Sequence, residues 1–178
     1  MRVFFDEVKK ETGRMVKKLL QENVEPLVLD GERIVFPKPV TLSITLINCG
    51  SEILLEGTIA AAGIVSCSRC LEAFLSDMEG QVCLEFRNAD RLIRPSQIEA
   101  EAEESNDIRY YHEDDTYLDI SQEIREILIL SLPMKPLCRE QCAGLCPLCG
   151  EDLNQSACRC RNSTEDPRFS ILKQWSQT

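Results

Sequence analysis

Apolar and polar positions alternate most cleanly in Thr41-Leu42-Ser43-Ile44-Thr45-Leu46, where every second residue is aliphatic. A period of two sends successive side chains to opposite faces of a pleated strand and predicts a half-buried one. Gly50-Ser51 follows as a turn, Ile53 to Ile59 as the next strand, and Ala60 to Val65 carries the same texture toward Cys67. Phe74 to Phe86 returns as a further strand, with Val82, Leu84 and Phe86 on one face. Two long strands therefore flank Cys67-Ser68-Arg69-Cys70, which sits at a strand end in a hairpin-like unit.

Elsewhere the period is helical. Phe4, Phe5, Val8, Met15, Val16, Leu19 and Leu20 approximate one stripe and predict an amphipathic helix within residues 1–22, weakened by Gly13. Asp119 to Leu132 is the strongest helix: Ile120, Ile124, Ile127, Leu128 and Ser131 recur at helical spacing, Asp119 or Ser121 can cap the start, and Pro133 stops it. Its tail, Ile127 to Leu130, is apolar all round and predicts an end enclosed by the sheet and the cysteine segment. Asp166-Pro167 opens a last helix, with Phe169, Leu172 and Trp175 nearly on one side. The pattern as a whole predicts an α+β fold: an antiparallel β-sheet core with a long helix and a C-terminal cysteine-rich, zinc-ribbon-like segment.

The charge of −10 divides this chain unevenly. Residues 1–98 carry −2, residues 99–126 carry −9 and residues 127–178 carry +1. Glu99 to Asp115 reads as a solvated acidic loop. The predicted organisation is an N-terminal helix and β-rich core over 1–98, an acidic linker over 99–116, and a helix, a metal-binding segment and a last helix over 117–178. The bulk acidity argues against tight, non-specific binding to nucleic acid phosphates.

Eight of the ten cysteines form four close pairs, Cys67/Cys70, Cys138/Cys142, Cys146/Cys149 and Cys158/Cys160. Thiolate quartets bind zinc tetrahedrally, and closely spaced pairs let one short loop supply two ligands. Iron can occupy the same four-sulfur geometry. The first twenty residues mix Arg2, Lys9, Lys10, Arg14, Lys17 and Lys18 with acids and contain no apolar core segment, and no run approaches a membrane span. The expectation is a cytoplasmic protein that engages no membrane and keeps its thiols reduced, a setting that favours metal sites over disulfides. Cys49 and Cys83 stand alone in apolar surroundings and read as small buried hydrophobes.

The eight thiols can fill two sites in two ways. Cys138, Cys142, Cys146 and Cys149 can close one site locally, leaving Cys67/Cys70 with Cys158/Cys160. Alternatively, Cys146/Cys149 joins Cys158/Cys160 while Cys67/Cys70 joins Cys138/Cys142. The second is favoured: it gives one compact ribbon-like site with relaxed turns, and it pins the hairpin to the segment leaving the long helix across a loop of about 67 residues.

Cys67-Ser68-Arg69-Cys70-Leu71, the acidic interruption, the apolar helix ending in Leu132-Pro133, and the run from Cys138 through Cys142-Ala143-Gly144-Leu145-Cys146-Pro147-Leu148-Cys149-Gly150 to Leu153-Asn154 resemble the YceD family. Cys158-Arg159-Cys160 and Asp166-Pro167-Arg168 extend the likeness, which covers about Gly50 to Trp175. The resemblance implies a bacterial, non-enzymatic protein linked to accumulation of large-subunit ribosomal RNA, and it maps the family's cysteines onto the same eight positions.

The expected function is that of a zinc-binding ribosome-assembly factor holding two ions. It would touch pre-ribosomal RNA or a ribosomal protein, with Arg69, Lys135, Arg139, Arg159, Arg161 and Arg168 as candidate contacts. The alternative is a thiol- or zinc-responsive sensor or adaptor. No Gly-rich phosphate loop, Gly-x-Ser-x-Gly or paired-carboxylate motif accompanies the single histidine, His112. The expectation is therefore neither an enzyme nor a small-molecule substrate.

Overall fold

A computed structural model describes residues 1–29, 31–91 and 108–160. Its centre is a five-stranded sheet in the order β2-β5-β6-β7-β8, built from β2 (Met15–Glu22), β5 (Val40–Asn48), β6 (Glu52–Ser66), β7 (Ala73–Asn88) and β8 (Ile108–Tyr111). In β5 the alternation read from the sequence becomes burial: Val40, Leu42, Ile44, Leu46 and Asn48 face inward. The long hairpin β6–β7 pairs antiparallel from Glu52–Arg87 to Ser66–Ala73, and Val82, Leu84 and Phe86 lie buried on its inner face.

Smaller elements cover that face. β1 (Arg2–Phe4) pairs with β9 (Tyr117–Asp119), and β3 (Leu27–Leu29) with β4 (Glu32–Ile34). The four-residue α1 (Asp6–Lys9) inserts Val8, and the ten-residue α2 (Ser121–Leu130) inserts Ile124 and Leu128. Asn48, buried at the end of β5, donates from Nδ2 to the Val8 carbonyl at 2.8 Å. Gly80 on β7 lets α2 come close, since a Cβ there would stand 2.3 Å from Ile127 Cγ2. Glu123 of α2, also buried, pairs with Arg109 of β8 at 2.6 Å, so the helix is held by charge as well as by packing.

The α+β expectation with a long helix is corrected: strands predominate among the described residues, and the longer of the two α-helices has ten residues. The sheet is mixed rather than antiparallel, because β8 runs parallel to β7. The helix expected within residues 1–22 resolves into β1, α1 and β2. Its apolar doublets, Met15-Val16 and Leu19-Leu20, fit a helical stripe but also place one member of each doublet on either face of a strand. Val16 and Leu20 turn toward the core while Met15 and Leu19 face solvent. Eight consecutive register pairs with β5 satisfy this backbone and decide the outcome.

Three further expectations change. Leu130 is 82% exposed, so the tail of α2 is not enclosed. Cys49 and Cys83 are exposed; strand parity sends Cys83 outward between the buried Val82 and Leu84. Residues 108–111, counted by charge with the acidic linker, form β8. Most of that linker and the helix expected after Asp166 lie outside the described residues.

Candidate metal centres

The hairpin's far end carries the first cysteine turn. Cys67 N–H donates to the Glu72 carbonyl at 2.9 Å, and Leu71 N–H to the Cys67 carbonyl at 2.9 Å. The second turn repeats the pattern at the same spacing: Cys146 N–H to Glu151 at 2.8 Å, and Gly150 N–H to Cys146 at 2.9 Å. Two loops remote in sequence thus adopt one knuckle. The residue after each second cysteine is left-handed, Gly150 at φ 76° and Leu71 at φ 61°. Glycine takes that conformation readily, whereas leucine is strained in it.

The sulfurs gather in the second of the two arrangements weighed from spacing. Cys67, Cys70, Cys138 and Cys142 form one quartet, and Cys146, Cys149, Cys158 and Cys160 the other, with all four sulfurs of each within 4.8 Å of one another. In the first, Cys67 and Cys142 stand 3.8 Å apart and Cys70 and Cys138 3.7 Å. A tetrahedron with metal–sulfur bonds of about 2.3 Å has edges of about 3.8 Å, so these two edges have the length a filled site requires. The second is somewhat tighter between Cys146 and Cys158, at 3.4 Å. It is also more open: Cys149 is exposed and Cys158 and Cys160 are half-buried, whereas Cys67, Cys70 and Cys142 are buried.

The thiols within each quartet titrate unequally. The backbone N–H of Cys138 leads in drawing the Cys67 thiol down to about 6, and those of Cys149 and Leu148 bring Cys146 down to about 7. Burial, with neighbouring sulfurs, pushes Cys138 up to about 12. The Cys149 sulfur leads in pushing Cys160 up to about 12. Burial also raises Cys142, but the Asn154 amide and the Gly144 N–H more than offset it, and that thiol lies below its ordinary value. Four adjacent thiolates repel one another unless a cation neutralises them. The donor set suits a soft divalent ion.

Both quartets belong to one assembly. Leu145 N–H donates to the Arg69 carbonyl at 3.1 Å, and Leu153 N–H to the Gly144 carbonyl at 2.9 Å. Gly144, at φ 75°, lies so close that a Cβ would meet the Arg69 carbonyl oxygen at 3.1 Å. The Arg69 side chain, though exposed, reaches across to the neighbouring segment: its Nη1 donates to the Glu140 carbonyl at 3.3 Å and the Cys142 carbonyl at 2.9 Å. Arg69 therefore clasps the segment between Cys138 and Cys142.

Residues 55–175 match the family described as large ribosomal RNA subunit accumulation protein YceD. The chain belongs to the YceD family. An uncharacterised protein of Mycobacterium tuberculosis is 32% identical over 120 residues, which cover 67% of this chain and 54% of that protein. An uncharacterised protein of Mycobacterium leprae is 28% identical over 137 residues, 75% of this chain and 59% of its own length. A plant relative, the chloroplastic large ribosomal RNA subunit accumulation protein YCED homolog 1 of Arabidopsis thaliana, is 24% identical over 159 residues, 75% of this chain and 47% of the relative. The chain thus spans about half the length of the curated relatives it matches. No solved structure matches it.

The YceD match encloses all eight clustered cysteines. Of the cations named from sequence, Lys135, Arg139 and Arg159 are exposed beside the quartets, while Arg161 and Arg168 lie outside the described residues. Sequence reasoning missed the clasp of Arg69 and the position of Asn154, which donates from Nδ2 to the Cys142 sulfur at 3.4 Å. Leu153-Asn154 stood out only as part of a motif; its role depends on a contact twelve residues back. Among the described residues no helix is long and apolar enough to cross a membrane.

Proposed function

We propose that this YceD protein is a non-catalytic factor, scaffolded by two zinc ions, that supports accumulation of large-subunit ribosomal RNA. The carrying observation is the pair of complete sulfur quartets inside the segment that matches the family. When bound, the ion supplies rigidity and charge neutralisation; four protein ligands leave no open position for an activated water. The quartet Cys67, Cys70, Cys138 and Cys142 joins the hairpin end to the chain leaving α2, and the other shapes the loop from Cys146 to Cys160. The exposed Lys135, Arg139 and Arg159 around them suit contact with RNA phosphates. Arg69 is assigned to the scaffold instead. Cytoplasmic residence, where thiols stay reduced, would keep the eight sulfurs free to bind metal.

One observation favours the sensor reading: Cys149 is exposed, so an oxidant can reach the second quartet more readily than the first, where three sulfurs are buried and Cys138 is half-buried. Mild peroxide separates the readings, since a scaffold keeps both ions and a sensor reversibly loses one.

The test is depletion of the protein in its own host, with large- and small-subunit ribosomal RNA quantified on a sedimentation gradient. A selective fall in the large subunit, restored by the native gene but not by Cys146→Ser, supports the proposal. An unchanged ratio rejects it.

A further inference from the structure

Asn154 belongs to the loop between Cys149 and Cys158, yet its side chain works at the other quartet. Its Oδ1 accepts the Ala143 N–H at 2.8 Å, and its Nδ2 donates to the Cys142 sulfur at 3.4 Å and to Asp152 Oδ1 at 2.7 Å. Asp152 Oδ1 also receives the Asn154 backbone N–H at 2.9 Å, which locks the loop beneath the amide. The orientation follows from the partners: Ala143 N–H demands an acceptor, so the NH2 group must face the sulfur and the carboxylate. We propose that Asn154 is a positioning residue that makes the two metal centres interdependent, with filling of the Cys146–Cys160 centre fixing the loop that presents an N–H to the Cys142 thiolate.

The proposal rests on the reading that both quartets hold metal. Its logic is that of outer-shell partners elsewhere: a hydrogen bond to a ligand atom orients it and strengthens metal binding. Here the partner sits on a loop whose two ends are ligands of a different ion. An empty second centre leaves that loop without its metal anchors, and the first centre loses a bond that shares the charge of its thiolate. Linkage makes the effect reciprocal, so filling the first centre tightens the second by the same factor. The backbone bonds Leu145–Arg69 and Leu153–Gly144 support the same joint from either side.

The experiment is titration of the full-length, metal-free chain with cobalt(II) as probe, following its thiolate charge-transfer bands, with each affinity set by competition against a chelator. Asn154→Ala is expected to weaken the Cys67–Cys142 centre by about 10–100-fold. Cys158→Ser with Cys160→Ser is expected to weaken it by a similar factor, and the two changes together by no more than either alone. Asn154→Asp separates positioning from simple loop support. It keeps the acceptor for Ala143 but sets a carboxylate against the thiolate, so it should weaken the first centre at least as much as alanine does. Retention of one ion at the second centre shows that the two Asn154 variants are folded, and an unchanged circular dichroism spectrum of the sheet shows the same for the double serine variant. First-centre affinity equal to wild type in both Asn154 variants, or losses that multiply when combined, would overturn the inference. A wild-type chain that takes up no metal would instead overturn the metal reading beneath it.

Discussion

The Cys70 sulfur lies 3.7 Å from the Cys138 sulfur, 68 positions further along the chain. This contact ties the end of the longest hairpin to the segment leaving α2. Metal held there closes a long loop and turns binding energy into folding energy, on the order of 10 kcal/mol for structural zinc in small domains.

Removing the metal should therefore melt more than a local loop. Chelation, or Cys138→Ser, is expected to lower the thermal midpoint by on the order of 10 °C. Calorimetry with and without added zinc reads this. A midpoint unchanged by chelation would mean that the quartet contributes nothing to the fold.

Leu71 offers a change in the opposite direction. It occupies the left-handed position that Gly150 fills in the equivalent turn, and its side chain is 68% exposed. Leu71→Gly should relieve the backbone at little loss of burial, a net gain of about 0.5–1 kcal/mol after the added freedom of the unfolded chain. Denaturant midpoints measure the difference. A loss of stability would show that the leucine side chain holds the knuckle.

The same geometry shows what could be read beforehand. Alternation in Thr41–Leu46, the buried face of Val82, Leu84 and Phe86, and the stripe of Ile120, Ile124 and Leu128 were legible because local period and burial agree. Met15 to Leu20 were not legible as strand, since doublets satisfy both periods and only pairing with β5 decides between them. The cysteines were conspicuous by spacing, but spacing left two groupings open; turn geometry and loop closure favoured one, and the folded chain brings that one together. Cys83 misled because its sequence neighbours are apolar while its strand parity is outward. Asn154 and Arg69 act through contacts made after folding, which no local pattern announces.

Gly80 tests the seat of α2. Its added Cβ would stand 2.3 Å from Ile127 Cγ2 and 3.2 Å from Ile59 Cγ2, both on stiff β-branched side chains. Gly80→Ala should destabilise by about 1–3 kcal/mol. Ile127→Ala, which removes the Cγ2 methyl, should give non-additive losses with it in a double-mutant cycle, because the two sites touch. Additive losses would place the strain elsewhere.

His112 links the β8–β9 turn to Asp90, Nδ1 to Oδ1 at 2.9 Å. The Asp90 carboxylate holds the imidazole above its ordinary 6.5, and the His112 side chain leads in holding Asp90 below its own 3.8. For a raised histidine, the stabilisation is full below the unfolded value and is lost as pH rises through the folded one. For a depressed carboxylate, it is present above the unfolded value and is lost as pH falls through the folded one. Wild type should thus lose a small increment of stability as pH rises from about 6.5, and His112→Gln should show no such step. Thermal midpoints across that range measure it. The same slope in both proteins would remove the pair from the account.

Native mass spectrometry of the metal content addresses the central claim most directly. Wild type should carry two zinc ions per chain, and Cys138→Ser and Cys158→Ser one each, because even a hundredfold weakening leaves a four-thiolate centre filled at modest free zinc. A wild-type chain without metal, or single variants that lose both ions or neither, would contradict it.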